Sequence, residues 1–187
     1  MTLQILEFHS FFLTYFKSCV ELILDGNVTK NISCFVHCSH LQESNDEIYE
    51  ALDETVKLLE TVIFSRNSDL SYLPINAKNA LYYIREHSII IQEIMSQFKI
   101  QRVYGKYDKK INWEQYFQEN KYFCLIGGNK LERGFTINGL ITTYFTRNSL
   151  TTSNADTFEQ RCRFFGNRAD LIKYITIFCT DEILRKL

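Results

Sequence analysis

The chain has 187 residues, of which 45% are apolar, 14% aromatic and 23% charged. This composition supports one domain with its own core, and it excludes a disordered tail and a small disulfide-stabilised protein. Basic side chains number 21 and acidic ones 22, so the formal net charge is −1. No overall basic field attracts the protein to nucleic acid, and any such contact must therefore be local.

No interior domain boundary is visible, because the chain has only one proline and seven glycines and lacks a flexible linker. We predict a single domain over residues 1–187, with residues 1–30 as a helical N-terminal extension packed on it. The six cysteines contain no C-x-x-C pair and are interpreted as reduced thiols. Charged residues interrupt the apolar N-terminus, so it is neither a signal peptide nor a membrane helix. These patterns predict a cytoplasmic protein that does not enter a membrane.

Hydrophobic spacing along the chain predicts alternating helices and strands. Apolar residues recur every three or four positions over 3–24, which indicates an amphipathic helix. Further helices are predicted at 45–64, 76–97, 113–118, 156–165 and 181–187, and β-prone runs predict strands at 32–38, 99–105, 121–127, 139–147 and 174–179. Apolar strands separated by helices are typical of a parallel sheet covered on both faces. The predicted fold class is α/β with three layers, a mostly parallel sheet lying between helices.

A polar, glycine-bearing loop follows the predicted strand 121–127. Open α/β sheets bind ligands at the carboxyl ends of their strands, so this loop is a candidate binding site. Its distinctive residues are Gly127, Gly128, Lys130, Glu132, Arg133 and Gly134.

Arginines cluster around the predicted helix 156–165. Arg161 and Arg163 lie away from its apolar positions, and Arg168 follows its end. A guanidinium group can hold phosphate oxygens in a bidentate fork, so arginines here can act as anion clamps. Taken alone, these arginines are more typical of a solvated helix face.

Two segments together resemble a known family. The segment IGGNKLERGFTINGLITTYFTR, residues 126–147, looks like motif V and the following strand of the Z1 domain, a module of helicase-like endonucleases of superfamily 2. The segment DTFEQRCRFFGNR, residues 156–168, resembles motif VI of the same family, which carries arginine fingers. His37 and Ser39 resemble the strand that carries motif IV.

The resemblance implies the C-terminal RecA-like lobe of a helicase-type, DNA-dependent ATPase linked to restriction or phage defence. It implies that Gln160, Arg163 and Arg168 approach the phosphates of ATP, where the arginines stabilise charge on the γ-phosphoryl group. It also implies that motif V and its following strand line the junction between nucleotide and DNA. The residues concerned are Gly128, Asn129, Lys130, Arg133, Gly134, Thr136 and Arg147.

No G-x-x-x-x-G-K-[ST] sequence occurs in the chain. We therefore expect ATP and Mg²⁺ to bind only together with a P-loop-bearing lobe, in cis or in trans, and the chain alone to be inactive. We expect no metal bound by this chain itself. Cys34, His37, Cys38 and His40 form a possible zinc set, but Cys34 and Cys38 point away from His37 on a strand.

Two alternative functions remain open. A non-catalytic module that binds DNA or protein is favoured by the missing P-loop and by Cys162, which stands where the family usually has glycine. A stand-alone nuclease is suggested only by the family's association with endonucleases.

A second candidate nucleic-acid surface combines lysines with aromatic residues, since phosphates need local cations and bases stack on rings. An exposed turn is the more usual explanation of such a pattern. The residues are Tyr104, Lys106, Tyr107, Lys109, Lys110 and Trp113.

Overall fold

The computed structural model describes residues 3–27, 30–37, 42–65, 69–104, 107, 111–127, 137, 139–145 and 169–179. Helices and strands are interspersed along these ranges, with α2 to α4 following one another between β1 and β2. Their order is α1 (Leu3–Leu24), β1 (Ile32–His37), α2 (Gln42–Phe64), α3 (Ile75–Glu86), α4 (Ser88–Gln97), β2 (Lys99–Val103), α5 (Trp113–Glu119), β3 (Tyr122–Gly127), β4 (Leu140–Phe145), a 3-10 helix (Ala169–Tyr174) and β5 (Thr176–Phe178). The helices predicted at 156–165 and 181–187 lie outside the described residues.

The strands form one five-stranded sheet in the order β2-β3-β1-β4-β5, and every pairing is parallel. Strands β1, β3 and β4 are buried along their whole length. Their almost continuously apolar sequences reflect this, because a parallel strand inside such a sheet is covered on both faces. The α/β prediction with a parallel sheet between helices is confirmed.

Successive residues of β1 point to opposite faces of the sheet. Cys34 and Val36 join the large core cluster that contains the buried side chains of α1 to α4. Phe35 joins a second cluster with Phe123 and Leu125, and α5 covers that cluster with Trp113, Tyr116 and Phe117. The two clusters define the three layers of the fold.

Helix α1 is buried on nearly all sides, more deeply than a surface helix with one apolar stripe. The consecutive side chains of Phe11, Phe12 and Leu13 have no exposed surface. The helix contacts β4 of the sheet and also contacts α2, α3 and α4. The Lys17–Glu21 ion pair, whose side chains keep 35% and 30% of their accessible surface, marks the remaining polar side of this amphipathic helix. In the ranges that the structure covers, no helix is long and apolar enough to cross a membrane.

The single helix predicted over 76–97 is in fact two helices, α3 and α4, separated at His87. In a continuous α-helix the His87 amide would donate to the carbonyl of Tyr83. Here the imidazole Nδ1 lies 2.9 Å from that oxygen, and the His87 amide donates instead to Ile84. The His87 side chain therefore takes the place of its own amide at the Tyr83 carbonyl where the helix breaks. The apolar spacing of the sequence continues through this point.

The last strand is also shorter than predicted. Residues Ala169–Tyr174 form a 3-10 helix, and β5 begins only at Thr176. The apolar run that predicted a strand over 174–179 therefore divides between two kinds of structure.

Strand β4 begins where its backbone meets the residue before β1. Gly139 has φ +67°, and a Cβ atom at that position would lie 1.7 Å from the carbonyl oxygen of Asn31. The Gly139 carbonyl accepts a 2.8 Å hydrogen bond from the Ser33 amide. The buried Asn31 side chain also donates to the carbonyls of Phe117 and Asn120, each at 2.7 Å. Only glycine allows this close approach of the two backbone segments.

Replacing Gly139 by alanine is expected to destabilise the protein much more than Gly26→Ala. Both glycines have positive φ, but a Cβ at Gly26 would meet nothing within 4 Å. The backbone conformation alone costs roughly 1–2 kcal/mol for a residue with a side chain, and the clash at Gly139 adds about 1–3 kcal/mol or more. Urea unfolding of the two variants measures the difference, and equal losses of stability would contradict the close packing of Gly139 against Asn31.

Replacing the core residue Phe12 by alanine is expected to lower the free energy of unfolding by about 3–5 kcal/mol. The substitution leaves a cavity that the surrounding side chains cannot fully close. Phe12 has no exposed surface and packs against Phe98, with ring centroids 5.9 Å apart. Ile89→Ala on α4 is the control, since Ile89 is 83% exposed. It should change stability by less than about 0.5 kcal/mol. A similar loss in both variants would be inconsistent with α1 as a core helix.

Candidate functional site

The carboxyl ends of the strands meet at one edge of the sheet. In the pairing register, His37 at the end of β1 is aligned with Gly127 of β3 and Phe145 of β4. Val103 at the end of β2 is aligned with Gly127 from the other side. Segments that follow these strands therefore begin at neighbouring points, which is where open α/β sheets hold their ligands.

His37 lies at the centre of this edge and is only 2% exposed. Its ring centroid is 5.5 Å from that of Phe145 and 5.9 Å from that of Phe35. It is thus packed on the Phe35 side of the sheet, whereas Cys34 belongs to the opposite face, as the strand alternation predicts. Cys38 and His40 of the possible zinc set lie outside the described residues. Across the described ranges, no group of three or more His, Cys, Asp or Glu side chains is arranged to hold a metal ion.

The residues predicted to carry the function all lie outside the described ranges, so the structure neither brings them together nor separates them. It describes the residues beside them in the chain: Gly127 directly precedes Gly128, Phe145 ends β4 two positions before Arg147, and Ala169 follows Arg168. The predicted site residues outside the described ranges are Gly128, Asn129, Lys130, Arg133, Gly134, Thr136, Arg147, Gln160, Arg163 and Arg168.

The glycine-bearing loop is anchored at both of its described ends. Gly127 is part of β3 and paired with both neighbouring strands. Ile137, which follows Thr136, is fully buried and belongs to the core cluster of Phe35 and Phe123. The described residues on either side of this segment are therefore fixed, Gly127 in the sheet and Ile137 in the core cluster beside it.

One charged and aromatic group lies beside this edge, and we call it the Arg102 cluster. The Arg102 guanidinium carbon is 3.8 Å from the ring centroid of Tyr107 and 4.3 Å from that of Tyr49. Its Nη1 is 3.3 Å from Asp46 Oδ1, and the Tyr104 hydroxyl donates to the same oxygen at 2.7 Å. Asp46 and Tyr49 lie in the first turns of α2, and the other members lie at or just after the end of β2.

The Arg102 cluster corrects part of the sequence interpretation. Of the aromatic residues considered with the lysines of 106–110, Tyr104 and Tyr107 do meet, with ring centroids 5.6 Å apart. Trp113 packs elsewhere, 5.7 Å from both Tyr116 and Phe117. Lys106, Lys109 and Lys110 lie outside the described residues.

A polar pocket of about 240 Å³ lies at the opposite, amino-terminal edge of the sheet. Asp25 accepts hydrogen bonds from Lys173 Nζ at 2.8 Å and from the Tyr174 hydroxyl at 2.5 Å. These bonds lower the pKa of the Asp25 carboxyl. They tie the end of α1 to the 3-10 helix that follows Arg168, and sequence reasoning missed them because the partners are far apart in the chain. Glu21 and Tyr83 complete the lining.

Three cysteines lie in the core as thiols. Cys34 and Cys124 are aligned across β1 and β3, and Cys19 projects from α1 into the same core cluster. All three are fully buried, and burial raises the pKa of the Cys19 and Cys34 thiols. A buried thiol with a raised pKa carries little of the thiolate needed for nucleophilic chemistry. The geometry favours a packing role.

Cys19, Cys34 and Cys124 are therefore expected to resist alkylation by iodoacetamide in the folded protein and to react fully in guanidinium chloride. Peptide mass spectrometry of the labelled chain measures each site separately. Cys179 serves as the internal comparison, because it is only partly buried. Labelling of Cys34 at the same rate in folded and unfolded protein would show that the thiols are accessible.

Comparison with known proteins identifies one family. The family model for the Z1 domain matches residues 8–187, which is nearly the whole chain. Among curated proteins and among solved structures, nothing matches the chain. The match covers the parallel sheet, helix α1 from Phe8 onward and both segments that resemble motifs V and VI. The chain belongs to the Z1 domain family.

Proposed function

We propose that the chain is the C-terminal RecA-like lobe of a helicase-type, DNA-dependent ATPase that serves restriction or phage defence. The observation that carries this proposal is the match of the Z1 domain model to residues 8–187. The Z1 domain family is associated with helicase-like endonuclease systems. The all-parallel sheet supports it, because the segment that resembles motif V begins at the carboxyl end of β3. That edge is where such sheets bind ligands.

In this proposal the lobe contributes positive charge to a nucleotide held mainly by a P-loop-bearing partner lobe. Arg163 and Arg168 contact the γ-phosphoryl group and stabilise the charge that develops during transfer, and Gln160 lies beside them. The partner lobe supplies the P-loop that holds Mg²⁺ and the other phosphates. The chain alone is then expected to show no ATP turnover.

The segment after β3 forms the contact between nucleotide and DNA in the same proposal. The fixed positions of Gly127 in β3 and of Ile137 in the core cluster support this role, because fixed ends limit the conformations that a binding segment has to lose. The Asp25 contacts with Lys173 and Tyr174 similarly hold the 3-10 helix that follows Arg168. The proposed binding residues of the junction are Gly128, Asn129, Lys130, Arg133, Gly134, Thr136 and Arg147.

The decisive experiment combines the chain with a P-loop-bearing lobe, by mixing or by fusion, and measures ATP hydrolysis with and without DNA. We expect DNA to stimulate turnover. Arg163→Ala and Arg168→Ala should each lower kcat by roughly 10³-fold or more, as expected when an arginine finger is removed. Arg161→Ala is the matched control, since the family resemblance gives this neighbouring arginine no place at the nucleotide, and it should retain turnover.

The other outcomes decide between the alternatives. Full turnover in both Arg163→Ala and Arg168→Ala would refute the arginine-finger assignment. DNA binding without any stimulated hydrolysis would instead identify a non-catalytic module, whereas micromolar binding of ATP to the isolated chain in calorimetry would count against that module. Cleavage of supercoiled plasmid by the chain with Mg²⁺ or Mn²⁺ would identify a nuclease.

A further inference from the structure

Helix α2 concentrates negative charge on one element of the fold. Its sequence, Gln42–Phe64, holds seven acidic residues and a single lysine, whereas the whole chain has a net charge of −1. The helix dipole favours carboxylates near the start of a helix, but this effect falls off within the first turn. Glu50, Glu54 and Glu60 lie beyond that turn, so the dipole does not account for them.

Exposed glutamates form a stripe along the outer side of α2. Glu47, Glu50 and Glu54 follow one another at spacings of three and four residues, which places them on one face of the helix. Like charges at such spacings repel each other and lower the stability of the helix. Lys57, the single basic residue of α2, is paired with Asp53, whose Oδ2 lies 2.6 Å from its Nζ. The helix therefore carries an excess of negative charge at the expense of its own stability, which is expected where a surface has a function.

Two large apolar side chains continue the exposed side of α2 toward its C-terminal end. Leu58 is 44% exposed, and Phe64, in the last turn, is 46% exposed. Arg85 of α3 holds this last turn, because its guanidinium donates to the carbonyl of Val62 at 2.7 Å and to that of Ser65 at 2.6 Å. The apolar end of the surface is thus fixed in advance, which reduces the entropy lost when a partner binds.

We infer that this exposed side of α2 docks a basic amphipathic helix of a partner polypeptide. We call the surface the α2 face, and it consists of Glu47, Glu50, Glu54, Leu58 and Phe64. Lysines and arginines of the partner lie against the glutamates, and its apolar side chains cover Leu58 and Phe64. At a rise of 1.5 Å per residue the face is about 26 Å long, which corresponds to roughly 18 residues of a partner helix.

Charge complementarity selects this occupant over the others. Nucleic acids and anionic lipid surfaces are polyanions, which the glutamates repel. A second copy of the chain that docked through the same face would bring glutamates against glutamates. A positively charged polypeptide segment is attracted instead. The inference goes beyond the proposed function and does not depend on it, since this contact needs neither nucleotide nor DNA.

The test measures fluorescence anisotropy of a labelled peptide of about 18 residues, built from lysine, leucine and alanine so that lysines and leucines share one helical face. It uses the 187-residue chain. We expect saturable binding that weakens as the salt concentration rises, because salt screens exposed charges. A peptide of the same composition in scrambled order lacks such a face and should bind about tenfold more weakly.

Substitutions on the α2 face should weaken binding of the peptide. Glu50→Gln combined with Glu54→Gln removes two charges and should lower the affinity about threefold to tenfold. Phe64→Ala removes an apolar contact and should lower it about tenfold. All three positions are exposed, so these variants are expected to fold, and circular dichroism checks that they do.

Matched controls come from exposed residues away from α2. Glu114→Gln combined with Glu119→Gln removes two exposed carboxylates from α5, which covers the opposite face of the sheet. Ile172→Ala shortens a side chain of the 3-10 helix that is 72% exposed. Both should leave the affinity unchanged. Absence of binding, equal binding of the scrambled peptide, or equal losses of affinity in the α2 and α5 variants would each overturn the inference.

Carbodiimide crosslinking gives a second readout that needs no substitution. The reagent joins a carboxylate directly to a lysine amine, so peptide mass spectrometry identifies the carboxylates that contact the bound peptide. Crosslinks should form at Glu47, Glu50 or Glu54, and crosslinks found only at other carboxylates would overturn the inference. The proposed ATPase can fail separately, because neither assay involves a nucleotide or a second lobe.

Discussion

Aromatic contacts between α1 and the sheet hold the rest of the protein together. Phe16 on α1 packs against Phe98, the residue before edge strand β2, with ring centroids 5.2 Å apart. Phe11 packs against Phe178 of β5, the strand at the opposite edge of the sheet, with ring centroids 5.7 Å apart. One helix therefore contacts residues at both ends of the strand order, and α2, α3 and α4 pack in turn against that helix. The position of the carboxyl edge depends on this packing, because it fixes the strands relative to one another.

The general fold could be predicted from the sequence because its signals are local. Each of these signals lies within a short stretch of sequence. Apolar runs predict β1, β3 and β4, and helical spacing predicts α1 and α2. The break at His87 could not be predicted, since it depends on which donor takes the Tyr83 carbonyl. Likewise, no sequence pattern indicates the irregular register between Ser33 and Cys34, where β1 pairs with β4.

The candidate site was predictable only in part. The glycine-bearing segment and the arginines stand out because each group is contiguous in the sequence, and the parallel topology explains why the segment follows the carboxyl end of β3. The Arg102 cluster unites Asp46 and Arg102 from positions 56 residues apart. The tie between Asp25 and Tyr174 spans 149 residues. Neither pairing follows a helical or strand period, so only the fold reveals it.

The strand order has a consequence for how the chain folds during synthesis. Strand β1 lies at the centre of the sheet, yet both of its partners, Tyr122–Gly127 and Leu140–Phe145, come much later in the chain. A ribosome therefore releases ISCFVH long before either neighbour exists, with both of its hydrogen-bonding edges open. Such late, non-local pairing slows folding and exposes the nascent chain to aggregation. The same central position that gives β1 two hydrogen-bonded neighbours in the finished protein leaves it without either of them until Leu140–Phe145 has been made.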